Sequence, residues 1–428
     1  MADKGVPTQA FRPTVNIERL RARLTEIATF GADPSGQGVH RLSFSPADME
    51  ARRWLCREMD AIGMTTRLDA VGNVIGRWDV GRGPAVLVGS HLDSVPHGGF
   101  FDGALGVVAA LECVQTLMDC NIMPAAPVEV IATSEEEGRF GGMLGAQAMV
   151  GAVSETWLRS TSDDQGNKLT DAMRAAGLDP DAYCTAQRDP RGVKAFLELH
   201  IEQGPVLDDA GQAVGIVEGI SGVFNWVVEM TGAANHAGTT PMELRRDAFR
   251  GLAGFAGDIP DILANHGTSA SRLTVGKVEL QPNYPHTVPG RAEFTIVGRD
   301  MQEEVMSAIA EACRSSLAAA AARNDLALDI RETSWLPPSP CHPEIIAAFK
   351  RQAAALGLEA PVMPSGAGHD TQLMAQLTRS GMIFVASSGG VSHAPEEHSD
   401  WPDIEAGTNL LLYTLLDVAG QEMQADQG

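Results

Sequence analysis

No apolar run in this sequence is long enough to span a membrane, and the opening residues Met-Ala-Asp-Lys-Gly-Val-Pro contain no signal-peptide core. The expected compartment is therefore the cytoplasm. Basic residues are also scarce: 32 Lys and Arg stand against 55 Asp and Glu, a formal charge of −23 at pH 7. Nucleic acid and acidic membrane surfaces both demand a basic footprint, so neither is an expected partner. An anionic substrate would have to be captured by a local arginine rather than by the overall field. Paired cysteines are missing as well. Cys56, Cys113, Cys120, Cys184, Cys313 and Cys341 are scattered, with no Cys-x-x-Cys step and no dense framework, and read as idle thiols in a reducing compartment.

What the chain does have is bulk: 428 residues, 44% of them hydrophobic, enough for two domains with a sizeable core. Its organising stretch runs from Gly89 to Glu112. An apolar strand, Ala85 to Val88, delivers His91 and Asp93, and a Gly-rich loop then leads through Asp102-Gly103 into a helix of small residues. Imidazole and carboxylate at the carboxyl edge of a sheet occupy the place where open α/β sheets keep their chemistry. They are also the ligands a zinc-like ion prefers, and a carboxylate two residues past a histidine can orient its ring from behind. His91 and Asp102 are candidate ligands and Asp93 a candidate orienting group, against the plainer reading of a strand-end histidine and a helix-capping aspartate.

Three more strand ends repeat the pattern. Pro127 to Thr133 ends in Ser134-Glu135-Glu136-Glu137-Gly138. Adjacent carboxylates repel unless a cation or a raised pKa relieves them, so this run is expected to supply a ligand and a base. Ala195 to Ile201 delivers His200, and Gly381 to Ala386 breaks into a loop that carries His393. Such a set suits a pair of divalent ions bridged by one carboxylate.

Between His200 and His393 the pattern changes to strand-like Val214–Thr231, helical Glu243–His266, strands Leu273–Leu280 and Ala292–Gly298, helical Gln302–Arg323 and a last strand Leu326–Ile330. That order, βαββαβ, is ferredoxin-like. The expected organisation is a catalytic metal-binding domain in residues 1–220, an inserted lid and dimerisation domain in 221–335, and the rest of the catalytic domain in 336–428. A bare edge on the inserted sheet would invite pairing, so a homodimer through that domain is expected.

Six motifs carry a resemblance: Gly89-Ser90-His91-Leu92-Asp93, Glu135-Glu136-Glu137-Gly138-x-Phe140, Glu198-Leu199-His200-Ile201-Glu202-Gln203-Gly204-Pro205, His236-Ala237-Gly238-Thr239-Thr240-Pro241-Met242, Gly366-Ala367-Gly368-His369-Asp370 and Ser392-His393. On these the chain resembles the dinuclear-zinc amidohydrolases of the M20 exopeptidase superfamily. The branch it resembles contains N-carbamoyl-L-amino-acid hydrolases, allantoate amidohydrolases and β-ureidopropionases. The resemblance implies an α/β, zinc-exopeptidase-like mixed sheet with flanking helices. It implies two divalent ions per subunit, zinc first, with manganese, cobalt or nickel tolerated by the same nitrogen and oxygen set. Asp102 would bridge them, His91 and His200 would complete one, Glu137 and His393 the other, and Glu136 would be the general base. Peptidases of the superfamily place a carboxylate where this chain has His200, which favours the carbamoyl branch.

The same resemblance points to His236 as donor to the tetrahedral oxyanion and Arg299 as clamp on a substrate carboxylate. Gln203, His286 and the backbone around Gly366 would complete recognition. Two positions depart from the pattern: His286 stands where the branch has asparagine, and Val297-Gly298-Arg299 where it has Asp-x-Arg. His40, His266 and His342 read as surface loop residues, and His97, His369 and His398 are not expected to be ligands. The expected reaction is hydrolysis of an N-carbamoyl-L-amino acid to amino acid, CO2 and ammonia by a water activated between the ions. Allantoate, β-ureidopropionate, N-acyl amino acids and dipeptides are rival substrates. A binding protein without catalysis is the rival from another class, and loss of Glu136 would have signalled it.

Overall fold

The computed structural model describes residues 12–420. They divide into two compact units, one made of the chain up to Glu218 with Cys341–Met363 and everything from His369, the other of Gly219–Pro340 with Pro364–Gly368. In chain order the strands are β1 (Thr65–Leu68), β2 (Val74–Trp78), β3 (Ala85–His91), β4 (Val128–Thr133), β5 (Val193–Ile201), β6 (Val214–Ile220), β7 (Gly222–Thr231), β8 (Asn235–His236), β9 (Arg272–Gln281), β10 (Thr287–Val288), β11 (Arg291–Asp300), β12 (Ala327–Leu336), β13 (Ser339–Pro340), β14 (Val362–Ser365) and β15 (Ser380–Val385).

The first unit is built on a mixed sheet in which β1-β2-β4-β3-β5-β15-β6 follow one another, with β14 beside β6. β3 runs parallel to both β4 and β5, and β15 runs parallel to β5. The carboxyl ends of these four strands therefore share one edge. β3, β4 and β15 are buried along their whole length, which is why they read as apolar runs rather than as alternating patterns. Helix Ala104–Asp119 is buried nearly all round, and its Ala and Gly residues let it lie close on the sheet. Each fully buried Val or Leu in that layer contributes roughly 1.5–3 kcal/mol. Helix Pro46–Ala61 is capped at its start by the Ser45 hydroxyl, which accepts the Asp48 N–H at 3.2 Å.

The second unit is a four-stranded antiparallel sheet in the order β12-β7-β11-β9. Helices Ala248–His266 and Glu303–Arg323 pack with Phe224, Trp226, Val228 and Met230 of β7 in one apolar core. The alternate residues Asn225, Val227, Glu229 and Thr231 are only half buried.

Four details differ from expectation. Val214–Thr231 is two strands in two sheets, because Ser221 leaves the ladder and donates its N–H to Ser365 O at 2.9 Å. The first helix of this unit starts at Ala248, where Asp247 accepts the N–H groups of Phe249 and Arg250. Before it, Arg245 pins the chain to the carbonyls of Ala237 and Thr240, so residues 243–247 are not helical in the α sense. β12 continues to Leu336. His266 lies in a helix rather than a loop, and His342 caps helix Pro343–Leu356 by accepting the Glu344 N–H. Among the described residues no helix is long and apolar enough to cross a membrane.

Candidate metal centre

His91 closes β3, His200 lies one residue before the end of β5, and Asp102 precedes helix Ala104–Asp119. Asp102 Oδ1 is 3.0 Å from His200 Nε2 and 3.6 Å from His91 Nε2, while its Oδ2 is 3.2 Å from His393 Nε2. His393 Nε2 is in turn 3.5 Å from Glu137 Oε2. Two groups result, His91-Asp102-His200 and Asp102-Glu137-His393, each with its ligand atoms within 4.8 Å of one another and Asp102 common to both.

The imidazole tautomers suit ligation. His91 Nδ1 donates to Asp93 O at 3.0 Å and His200 Nδ1 donates to Ile201 O at 2.9 Å, so in the neutral rings both Nε2 lone pairs face the centre. Asp102 Oδ1 and Glu137 Oε1 are buried and, among the described residues, receive no hydrogen bond. A buried anion left so is costly, and a nitrogen and oxygen set of this kind fits a hard or borderline divalent cation. Gly103 makes room for the cluster: its φ is +62°, and a Cβ there would lie 2.4 Å from the His91 ring.

Electrostatics point the same way. Burial pushes Glu136 well above the ordinary carboxylate range, with Glu137, Asp370 and Asp93 adding to the rise and His91 opposing it. Burial and then Asp102 raise Glu137 to about 8. Asp102 overcomes its burial through His200, His393 and His91 and stays well below the usual range. Its hydrogen bond lifts His393 to about 9. The cluster is thus crowded with negative charge that positive neighbours stabilise. Glu136 Oε2 sits 3.7 Å from His91 Nε2 with its side chain 8% exposed.

Asp93 requires a correction. The His91 ring is oriented by the main-chain carbonyl of Asp93, not by its carboxylate. That carboxylate turns the other way, accepting the Ser43 hydroxyl at 2.8 Å and the Glu137 N–H at 3.1 Å, and lies 3.8 Å from Arg52. It thereby ties the loop of Glu137 to the loop of His91. Gln203, expected among the substrate contacts, places its amide nitrogen 3.0 Å from Asp102 Oδ2 and 3.2 Å from His393 Nε2. Glu135, Gln203 and His393 all adopt left-handed backbone, with φ of 57°, 59° and 55°, a strain that clusters at functional sites.

Several supports had no sequence reading. Arg52 pairs with Asp48 at 2.9 Å and donates to the carbonyls of Gly72 and Thr133, while Arg41 holds Leu92 O at 2.6 Å. Glu198 accepts the hydroxyls of Ser90 and Thr371. Glu397 accepts the N–H groups of Phe101 and Asp102. Of these only Glu198, a carboxylate inside the apolar strand that delivers His200, offered a signal in the sequence. His369 packs edge-on against His200 and, like His97 and His398, joins neither ligand group.

The second unit carries His236, His286, Arg299 and Gly366. His236 is exposed on β8, which pairs with β10 beside His286. His236 Nδ1 accepts the N–H groups of Gly238 and Thr239 at 3.0 and 3.2 Å, which leaves Nε2 as the protonated nitrogen of the neutral ring. Arg299 lies one residue before the end of β11, an interior strand, and desolvation lowers its pKa with no carboxylate against it among the described residues. A side chain added at Gly366 would meet open space.

The sequence pattern of peptidase family M20/M25/M40 matches residues 87–417. The chain is 40% identical over 412 residues to the N-carbamoyl-L-amino acid amidohydrolase of Geobacillus stearothermophilus, covering 95% of itself and 99% of that protein. It is 36% identical over 410 residues to the allantoate amidohydrolase of Escherichia coli (strain K12), covering 95% and 98%. Among solved structures, an amidase of the hydantoinase/carbamoylase family from Burkholderia multivorans matches with a TM-score of 0.89 at 33% identity, covering 95% and 98% of the two chains. The chain therefore belongs to the M20/M25/M40 peptidase family, within its amidohydrolases, the hydrolases of carbon–nitrogen bonds other than peptide bonds.

Proposed function

We propose that this protein hydrolyses N-carbamoyl-L-amino acids with two divalent ions per chain, zinc first among zinc, manganese, cobalt and nickel. The observation that carries the reading is the division of Asp102: one oxygen belongs to the His91 and His200 group, the other to the Glu137 and His393 group. Ions bound there would lower the pKa of a water to about 7 and polarise the scissile carbonyl. Glu136, beside His91, is the base that takes the proton from the attacking water and returns it to the leaving nitrogen. His236 offers Nε2–H to the oxyanion, because its other ring nitrogen is occupied by two main-chain N–H groups. Arg299 takes the substrate carboxylate in a bidentate pair, and Gln203, His286 and the backbone at Gly366, where a side chain would meet open space, are the further recognition groups of this reading. One water is consumed, and amino acid, CO2 and ammonia are released.

The deciding experiment is a substrate panel assayed for ammonia. Release from N-carbamoyl-L-amino acids but not from the D-isomers is the expected result. Preference for allantoate would assign the rival substrate, and amino-acid release from dipeptides alone would overturn the reading.

The same proposal includes a homodimer through the inserted unit. β9 is an edge strand of its sheet, exposed along most of its length with Val278 at 45%, and a two-fold pairing would cover it. A scattering mass of 45.3 kDa, that of one chain, would contradict it. The cytoplasm is the proposed compartment, in keeping with six unpaired cysteines.

A further inference from the structure

Glu397 is 3% exposed, and among the described residues no cation pairs with it. Its Oε1 accepts the N–H groups of Phe101 and Asp102, both at 3.1 Å, and its Oε2 accepts the Ser392 hydroxyl at 2.9 Å. One carboxylate therefore ties the segment that presents Asp102 to the segment that presents His393, across 295 residues of sequence from Asp102. Gly99 leaves it the room, since a Cβ at that position would lie 2.1 Å from Oε1. On the other side of the tether, His393 holds a left-handed φ of 55°, a conformation that persists only where its surroundings enforce it. Neither end of this link touches the ligand atoms themselves.

We infer that Glu397 is a positioning residue: it sets the spacing between Asp102 and His393, 3.2 Å at their nearest atoms, and so the affinity of the group that these two form with Glu137. A side chain that orients ligands in this way typically changes metal affinity by about 10- to 100-fold when removed. The inference rests on the two-ion reading above.

Calorimetric titration of the metal-free protein with Zn2+ separates the two ideas. The wild type is expected to bind two ions in resolvable steps. E397A should weaken the step that fills the Asp102-Glu137-His393 group by roughly 10- to 100-fold and the other step much less. E397Q should stay within a few-fold of wild type, because its amide oxygen still accepts both main-chain N–H groups and its amide nitrogen can donate to Ser392. S392A, which cuts only the link toward His393, should weaken the same step by a smaller factor, and it carries the test if E397A does not fold. Wild-type binding of both ions with E397A or S392A indistinguishable from it would overturn the inference alone. Equal damage from E397Q and E397A would also overturn it, by making the charge rather than the tether the cause. Fewer than two ions in the wild type would overturn the two-ion reading and this inference with it.

Discussion

The two units present their functional side chains on different ground. In the first, His91, Asp102 and His200 are 2%, 5% and 1% exposed, each held by strand ends or main-chain hydrogen bonds in a buried sheet, and of the five candidate ligands only His393 is exposed. In the second, His236 and His286 are exposed, on or beside two-residue strands, and Gly366 faces open space. Groups that must converge to within a fraction of an ångström need rotamers locked by packing, whereas groups that select a substrate can sit on turns and be exchanged without disturbing a core. Both departures from the family pattern, His286 and the Val297-Gly298 step before Arg299, fall in the second unit. The first unit thus holds both candidate ligand groups and Glu136, and the second holds His236 and Arg299, the groups proposed to meet the substrate's oxyanion and carboxylate.

Substitutions can break that contrast, and the largest effect should come from Asp102→Ala. It removes the one side chain common to both groups, so metal analysis should find both ions lost and hydrolysis at background. Glu136→Gln is next: kcat should fall by about 100- to 10,000-fold with metal content unchanged, as loss of a general base requires. A variant that also lost metal would make Glu136 a ligand instead. His236→Ala should lower kcat by roughly 100- to 1,000-fold, because an oxyanion donor acts on charge that exists only in the transition state. Steady-state kinetics showing a change in KM alone would return His236 to substrate binding. The smallest effect should be Arg299→Ala, which should raise KM for carboxylate substrates by roughly 10- to 150-fold, the loss of a charged hydrogen bond of about 1.5–3 kcal/mol. The fold should be unharmed, since among the described residues no carboxylate depends on that guanidinium.

How far the sequence could be read follows from the same contrast. Parallel strands buried on both faces write themselves as apolar runs, so the ends that carry His91, Glu137, His200 and His393 stood out, and the structure gathers these residues with Asp102. The order of elements in the inserted unit was equally plain, because strand and helix periods alternate there. The break at Ser221 was not, since apolar character continues from β6 into β7 while the chain changes sheets. The Asp93 carboxylate was misassigned because spacing reports that a group is near a histidine, not which of its oxygens faces the ring. Arg41, Arg52 and Glu397 escaped notice because their partners lie 51, 81 and 295 residues away, and only the folded chain brings such distances together.

The central claim is that one carboxylate holds two ions. Elemental analysis of the purified protein, run beside its Asp102→Ala variant and followed by a chelator assay, tests it most directly. The account predicts two divalent ions per wild-type chain, none in the variant, and hydrolysis that stops when the ions are removed and returns with added zinc or manganese. Full activity in excess chelator, or an Asp102→Ala protein that keeps both ions, would contradict it.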